Sequence, residues 1–310
     1  MARHDRRASR GSRTRRLGSS SNSPGCAGWW PSAWGKRRHG RETYSLGAMN
    51  WTRAEILAAL HLYLQLPFGQ LHSRQQRIVQ LSGWLQRTPS SVAMKLVNIA
   101  SLDPSITTSG RAGLRKASQL DRDVWAELTA SWPVVAQEAA AEYESLAAQD
   151  GLTPAEADRI DTTEIADFQD GGGTPTATER EVITKVRINQ VRFRRWVLAS
   201  YGGRCCITGL QEPRLLIASH IVPWAESPAH RLNPRNGLCL SPLYDRAFDQ
   251  GLITITPGSL AIRVSQRLRD AVADTYAQQA LVSLQGVPIR APERLRPDDE
   301  LLAWHQRLHS

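Results

Sequence analysis

The chain has 310 residues, a net charge of +10 and a pI near 10; its length suits two modest domains with cores of their own, and its charge suits an anionic partner. That charge is uneven, because Met1 to Ala48 hold eleven Lys plus Arg against two Asp plus Glu, a net of +9 that leaves the body nearly neutral. No apolar run is long enough for a signal peptide or a membrane span, so a cytoplasmic protein with no membrane partner is expected.

Residues 1–48 are Ser- and Gly-rich and lack periodicity even around Trp29, Trp30 and Trp34. They read as a disordered basic leader, either a nucleic-acid-binding arm or a stretch upstream of a natural start at Met49. Residues 49–150 read as a helical domain. Thr52 and Glu55 make a capping box for a helix with its stripe at Ile56, Leu60 and Leu64, ending at Pro67. A second helix is expected over about Arg74 to Gln86, with Ile78, Leu81 and Leu85 inward. Thr88 and Pro89 cap a third, in which Val92, Leu96 and Ile99 face one way and Ser91, Lys95 and Asn98 another.

Three short helices with a tight turn before the last look like a helix-turn-helix unit. The third would then enter the major groove, with Lys95 and Asn98 as candidate base or phosphate contacts. Protein contact or dimerisation is the competing role for this unit, and Arg111, Arg115 and Lys116 add a basic cluster beside it. Asp121 is expected to cap a helix through Leu128, and Pro133 to open an Ala- and Glu-rich helix to about Gln149, packed on the bundle or paired in a homodimer. Residues 151–186, with three consecutive glycines and Thr174-Pro175-Thr176, read as a flexible linker.

Residues 187–310 carry the chemistry. Arg187 to Tyr201 reads as a helix with Val191, Trp196 and Leu198 apolar, while Arg187, Arg192, Arg194 and Arg195 are spaced densely enough for phosphate contacts. Leu215 to Val222 reads as a strand ended by Pro223 and Trp224, which puts His220 near a strand end. Asn236-Gly237 is a hairpin-turn signal, followed by the apolar Leu238 to Leu240. Ser241 suits an N-cap, Pro242 the first helical position and Gly251 the position past the end.

That helix places Asp245 and Asp249 one turn apart on one face, where they repel unless a cation lies between them or an arginine neutralises them. Leu252 to Ile255 and Leu260 to Val264 follow as strands joined through Pro257-Gly258. Asp298 to His309 closes the domain as a helix, with no chemistry assigned to His305. His220, near the strand end, is a side chain that serves as a base near neutral pH without a large shift. Each residue also has a plainer meaning: a core histidine, a hairpin turn, an Asp245 favoured by the helix dipole, an Asp249 paired with Arg246. Cys26, Cys205, Cys206 and Cys239 contain no C-x-x-C pair, which rules out a four-cysteine zinc knuckle and favours reduced, buried thiols.

Cys205 to Gly209, Ala218-Ser219-His220-Ile221-Val222-Pro223-Trp224, Asn233 to Leu240 and Tyr244 to Ile253 arrive in order at spacings that resemble the HNH endonucleases, most of all a bacterial restriction-endonuclease-like branch. Gln190, Phe193 and Arg194 are similar to a pattern seen in the same relatives. The resemblance, which covers roughly Arg187 to Ser310, implies a ββα-metal domain that hydrolyses DNA phosphodiester bonds; with the N-terminal helical bundle before it, the fold class expected is α+β. It implies His220 as general base, Asn236 as a brace for the histidine-bearing loop, and Asp245 and Asp249 as ligands for Mg²⁺ or another divalent cation such as Mn²⁺. Arg246 joins Arg187, Arg192, Arg194 and Arg195 in the expected DNA-contacting set. Many relatives have Asp or His where Ser219 stands, and His at the start of the helix where Tyr244 and Asp245 stand. The competing reading is a DNA-binding regulator built on a degenerate HNH scaffold.

Overall fold

A computed structural model describes residues 50–108, 116–159, 177–271 and 275–310. The leader, Arg111, Arg115, Cys26 and the glycine-rich centre of the expected linker lie outside them.

The helical half is built on a helix with almost no solvent face. In α1 (Arg53–Gln65) every residue from Ile56 to Gln65 is buried, as expected of a helix whose sequence is apolar nearly all round. Its start is fixed by the reciprocal cap: Glu55 N donates to the Thr52 hydroxyl at 3.2 Å and Thr52 N to the Glu55 carboxylate at 2.8 Å. Around it stand α2 (Gln76–Trp84), α3 (Pro89–Ala100), α4 (Pro104–Thr108), α5 (Gln119–Ala130), α6 (Trp132–Ala148) and the one-turn α7 (Pro154–Ala157).

Three expectations for this half need correction. Ser118, not Asp121, is the N-cap of α5; Asp121 is the third residue of its capping box, and its other oxygen takes a 2.6 Å contact from Lys95. Helix α3 has no free polar face, because α1, α2 and α5 all pack on it: Lys95 and Asn98 are buried, and only Ser90 and Met94 are exposed. The stretch read as linker is folded where it is described. Thr153 and Glu156 cap α7, Asp158 at its end is fully buried, and residues from Ala177 onward are already helical.

The second half starts from α8 (Ala177–Ser200), which begins ten residues before Arg187. Strands β1 (Ile217–His220) and β2 (Gly237–Leu240) pair antiparallel, with Ser219 opposite Leu238 and His220 opposite Gly237. Helix α9 (Pro242–Asp249) lies against them, and β3 (Ile253–Ile255) with β4 (Ile262–Val264) forms a second antiparallel pair. Short α10 (Gln266–Ala271) and α11 (Thr275–Ala280) lead to α12 (Asp299–Leu308), which packs on β3.

Residues 50–310 cluster as one unit. The fully buried Arg294 donates to the carbonyls of Tyr63 and Leu64, which the end of α1 leaves without helical partners. Beside it, Leu295 N donates to Asp103 at 2.7 Å and Arg296 N to Ser105 at 3.0 Å.

Candidate active site

Asn236-Gly237 does not make a two-residue hairpin. β1 and β2 are joined by residues 221–236, and Asn236 ends a 3₁₀ turn, Pro234–Asn236, just before β2. Gly237 has an ordinary extended backbone, φ −134°; it is glycine because a Cβ there would stand 2.4 Å from Val197 Cγ2 and 3.0 Å from Phe193 Cζ. The turn signal therefore reported close approach to α8. Asn236, buried, spends its side chain on the loop: Oδ1 accepts from Val222 N at 2.8 Å, while Nδ2 donates to Val222 O at 3.0 Å and His230 O at 3.2 Å. One amide thus ties both ends of the segment that follows His220.

His220 is half-buried at the end of β1. The Phe193 ring stacks on its face at 3.8 Å and 10°, and Trp224 stands edge-on at 5.6 Å. Its Nε2 lies 3.2 Å from the Arg231 carbonyl oxygen. A carbonyl only accepts, so Nε2 carries the proton and Nδ1 the free lone pair. Burial pushes the imidazole pKa down to about 4, against a smaller upward pull from that carbonyl, so the ring is neutral near pH 7.

Asp245 is half-buried and Asp249 exposed on α9. Neither has an ion-pair partner among the described residues. Partial burial raises the Asp245 pKa, opposed by the Ser219 hydroxyl and the Arg246 charge; partial burial and then the Asp245 charge raise that of Asp249. His220 itself makes no hydrogen bond or ion pair with either carboxylate. Successive strand residues point to opposite faces, so Ser219 turns to Asp245 while His220 turns to Phe193 on α8.

Two unpaired carboxylates one turn apart suit a hard divalent cation through oxygen. No group of three or more His, Cys, Asp or Glu side chains converges among the described residues, so water or phosphate would complete the shell. Cys205, Cys206 and Cys239 are free and buried, and burial pushes the Cys239 thiol up to about 12. All three lie in the hydrophobic core, and the main chain there pairs as well: Cys206 N donates to Cys239 O at 2.7 Å, which ties the turn after α8 to β2.

The basic residues divide sharply. Arg192 is buried against Asp158, at 2.7 Å, and Glu144. Arg194 donates to the carbonyls of Leu216 and Pro213, and Arg195 to those of Asp158 and Arg159. Lys95 is buried on Asp121; burial takes Arg192, Lys95 and Asn98 away from the surface where DNA contacts were expected, while Arg194 and Arg195 are half-buried with their guanidinium groups on backbone carbonyls. Arg187 is half-buried and Arg246 exposed, and neither has an internal hydrogen-bond partner among the described residues. Phe193, Trp224 and the Arg231 carbonyl were not expected around the His220 ring; the Gln190-Phe193-Arg194 spacing and the run from Ala218 to Trp224 were the sequence signals near them.

No helix among the described residues is long and apolar enough to cross a membrane. No curated protein matches the chain. Residues 205–256 match the sequence profile of a family described as HNH endonuclease, a span that holds β1, β2, α9 and β3 and contains His220, Asn236, Asp245 and Asp249. From Cys205 to Thr256 this chain is an HNH endonuclease domain.

Proposed function

We propose that the protein is a metal-dependent endonuclease that hydrolyses DNA phosphodiester bonds, with His220 as general base. The observation that carries this reading is the Nε2 contact to the Arg231 carbonyl, which leaves a neutral imidazole with its Nδ1 lone pair unspent. Nδ1 takes a proton from water as the water oxygen attacks phosphorus; the P–O3′ bond breaks, and the 3′ oxygen leaves with a proton from solvent. The products are 5′-phosphate and 3′-hydroxyl ends.

Asp245 and Asp249 would hold Mg²⁺ or Mn²⁺, which supplies positive charge to the phosphate oxygens when bound. Asn236 fixes the loop that presents the Arg231 carbonyl, and so holds the tautomer of the base. Arg187 and Arg246 are the residues left to meet DNA phosphates. A restriction-like role in defence is the setting that the family resemblance suggests.

The test is digestion of plasmid and genomic DNA by the full chain with Mg²⁺ or Mn²⁺, followed by sequencing of the ends. Cleavage leaving 5′-phosphates is the expected result. The rival reading, a DNA-binding protein on a degenerate scaffold, is favoured by Ser219, which stands where many relatives have Asp or His. It predicts retention of DNA in a gel shift with no cut in either metal.

A further inference from the structure

Three consecutive residues of α8 do three different things. Arg192 is buried in an ion-pair cluster with the helical half. Phe193 lies flat on the His220 ring, and Arg194 clamps the carbonyls of Pro213 and Leu216 just before β1.

The cluster around Arg192 joins four helices of the other half, since Arg77 of α2 also lies 3.7 Å from the Asp158 carboxylate. Asp158, at the end of α7, accepts from Arg192 Nε and Gln65 Nε2, each at 2.7 Å, and lies 2.7 Å from His61 Nε2; Glu144 on α6 takes the other end of the Arg192 guanidinium. Burial disfavours the Asp158 charge, but His61, Arg192 and Gln65 outweigh it and hold the carboxyl well below the usual range. Arg195 adds two more donors, to the carbonyls of Asp158 and Arg159. Buried charges tied this way fix one geometry, because any shift leaves an unpaired charge out of water.

We propose that Phe193 is the positioning residue of His220, and that its own place is set from the helical half by the Asp158–Arg192 pair. The stacked ring leaves the imidazole one plane, and Trp224 edge-on to it restricts sliding within that plane. In that plane Nε2 meets the Arg231 carbonyl and Nδ1 is left for water. On this account the helical half positions the base even though Lys95 and Asn98, its expected DNA contacts, are buried. The role in catalysis rests on the nuclease reading above; the role in setting the ring does not.

The experiment uses the full chain with ¹⁵N-labelled histidine, and two variants. Wild type is expected to show His220 as a single Nε2–H tautomer. Phe193→Leu is expected to show a mixture of both tautomers, and to lose about 10- to 100-fold in kcat on plasmid DNA with KM changed less than about threefold, as a misplaced base does. Asp158→Asn is expected to show a smaller loss of the same kind, about 3- to 10-fold. Should Phe193→Leu fail to fold, Phe193→Met, which keeps volume without a flat ring, is read in its place.

A variant at 193 that keeps the single tautomer and the wild-type kcat overturns the positioning role. An Asp158→Asn protein that keeps both removes the link to the helical half. A wild-type protein that cuts nothing in Mg²⁺ or Mn²⁺ sinks the nuclease reading alone, since the tautomer still decides whether Phe193 sets the ring.

Discussion

The Nε2 atom of His220 stands 3.2 Å from the carbonyl oxygen of Arg231, a contact that assigns the proton to one nitrogen and the lone pair to the other. Together with burial, which pushes the pKa down to about 4, it makes the ring a base already in its working form at neutral pH. For a base with a lowered pKa the active form persists to lower pH. kcat/KM for cleavage is therefore expected to stay flat from about pH 8 to about pH 5 and to fall below that. The raised pKa values of Asp245 and Asp249 add a loss on the same acid side only below Mg²⁺ saturation, by weakening cation binding. A pH-rate profile at saturating Mg²⁺ checks this; an acid limb at pH 6.5 or higher contradicts it.

Stability should follow the same histidines. Burial first, then the His309 charge, pushes His305 down to about 4 as well, stacked on Phe248 at 3.8 Å. A group whose folded pKa lies below its unfolded value of about 6.5 leaves the unfolded chain binding more protons in the window between. The histidine contribution to stability is then complete above about pH 6.5 and declines as pH falls toward about 4. Urea midpoints at pH 7.5 and pH 5 test it, with the lower midpoint expected at pH 5.

The acidic pair on α9 has opposite consequences with and without metal. Asp249→Asn removes a like charge one turn from Asp245 and should stabilise the metal-free protein by a few tenths of a kcal/mol. It should also reduce or abolish the rise in Tm on adding Mg²⁺ or Mn²⁺. Thermal melts in EDTA and in each metal read both effects, and an unchanged metal response removes Asp249 from the cation site.

Gly237 tests the contact between β2 and α8. Its Cβ would meet Val197 Cγ2 at 2.4 Å, and the neighbour is a packed branched side chain of α8. Gly237→Ala is expected to cost about 1–3 kcal/mol, the range for overpacking, with no contribution from backbone strain because φ is −134°. Equilibrium unfolding in urea measures it.

What was legible in the sequence was local. The Thr52–Glu55 box, Pro89 and Pro242 at helix starts, and Gly251 with φ +65° past the end of α9 stand where capping chemistry puts them. Asp245 and Asp249 share a turn because helical periodicity requires it. Non-local meaning was not legible. Lys95 reads as a polar-face residue until α5 arrives with Asp121 to bury it, and Arg192, Arg194 and Arg195 read as a phosphate-binding run until the carbonyls and carboxylates they meet are known. Asn236-Gly237 has the residues of a tight turn, yet the glycine answers to Val197 and Phe193, some forty positions earlier. Phe193 gives no local sign of lying on His220, because ring stacking between a helix and a strand leaves no periodicity.

The most direct test is the initial rate of cleavage of supercoiled plasmid by wild type and His220→Ala, each with Mg²⁺ and with EDTA. Loss of about 10² to 10⁴ in rate on substitution, with the circular dichroism spectrum unchanged, and loss of activity in EDTA are the expected results. Cutting by His220→Ala at the wild-type rate, or cutting that ignores EDTA, contradicts the assignment of His220 as general base of a metal-dependent reaction.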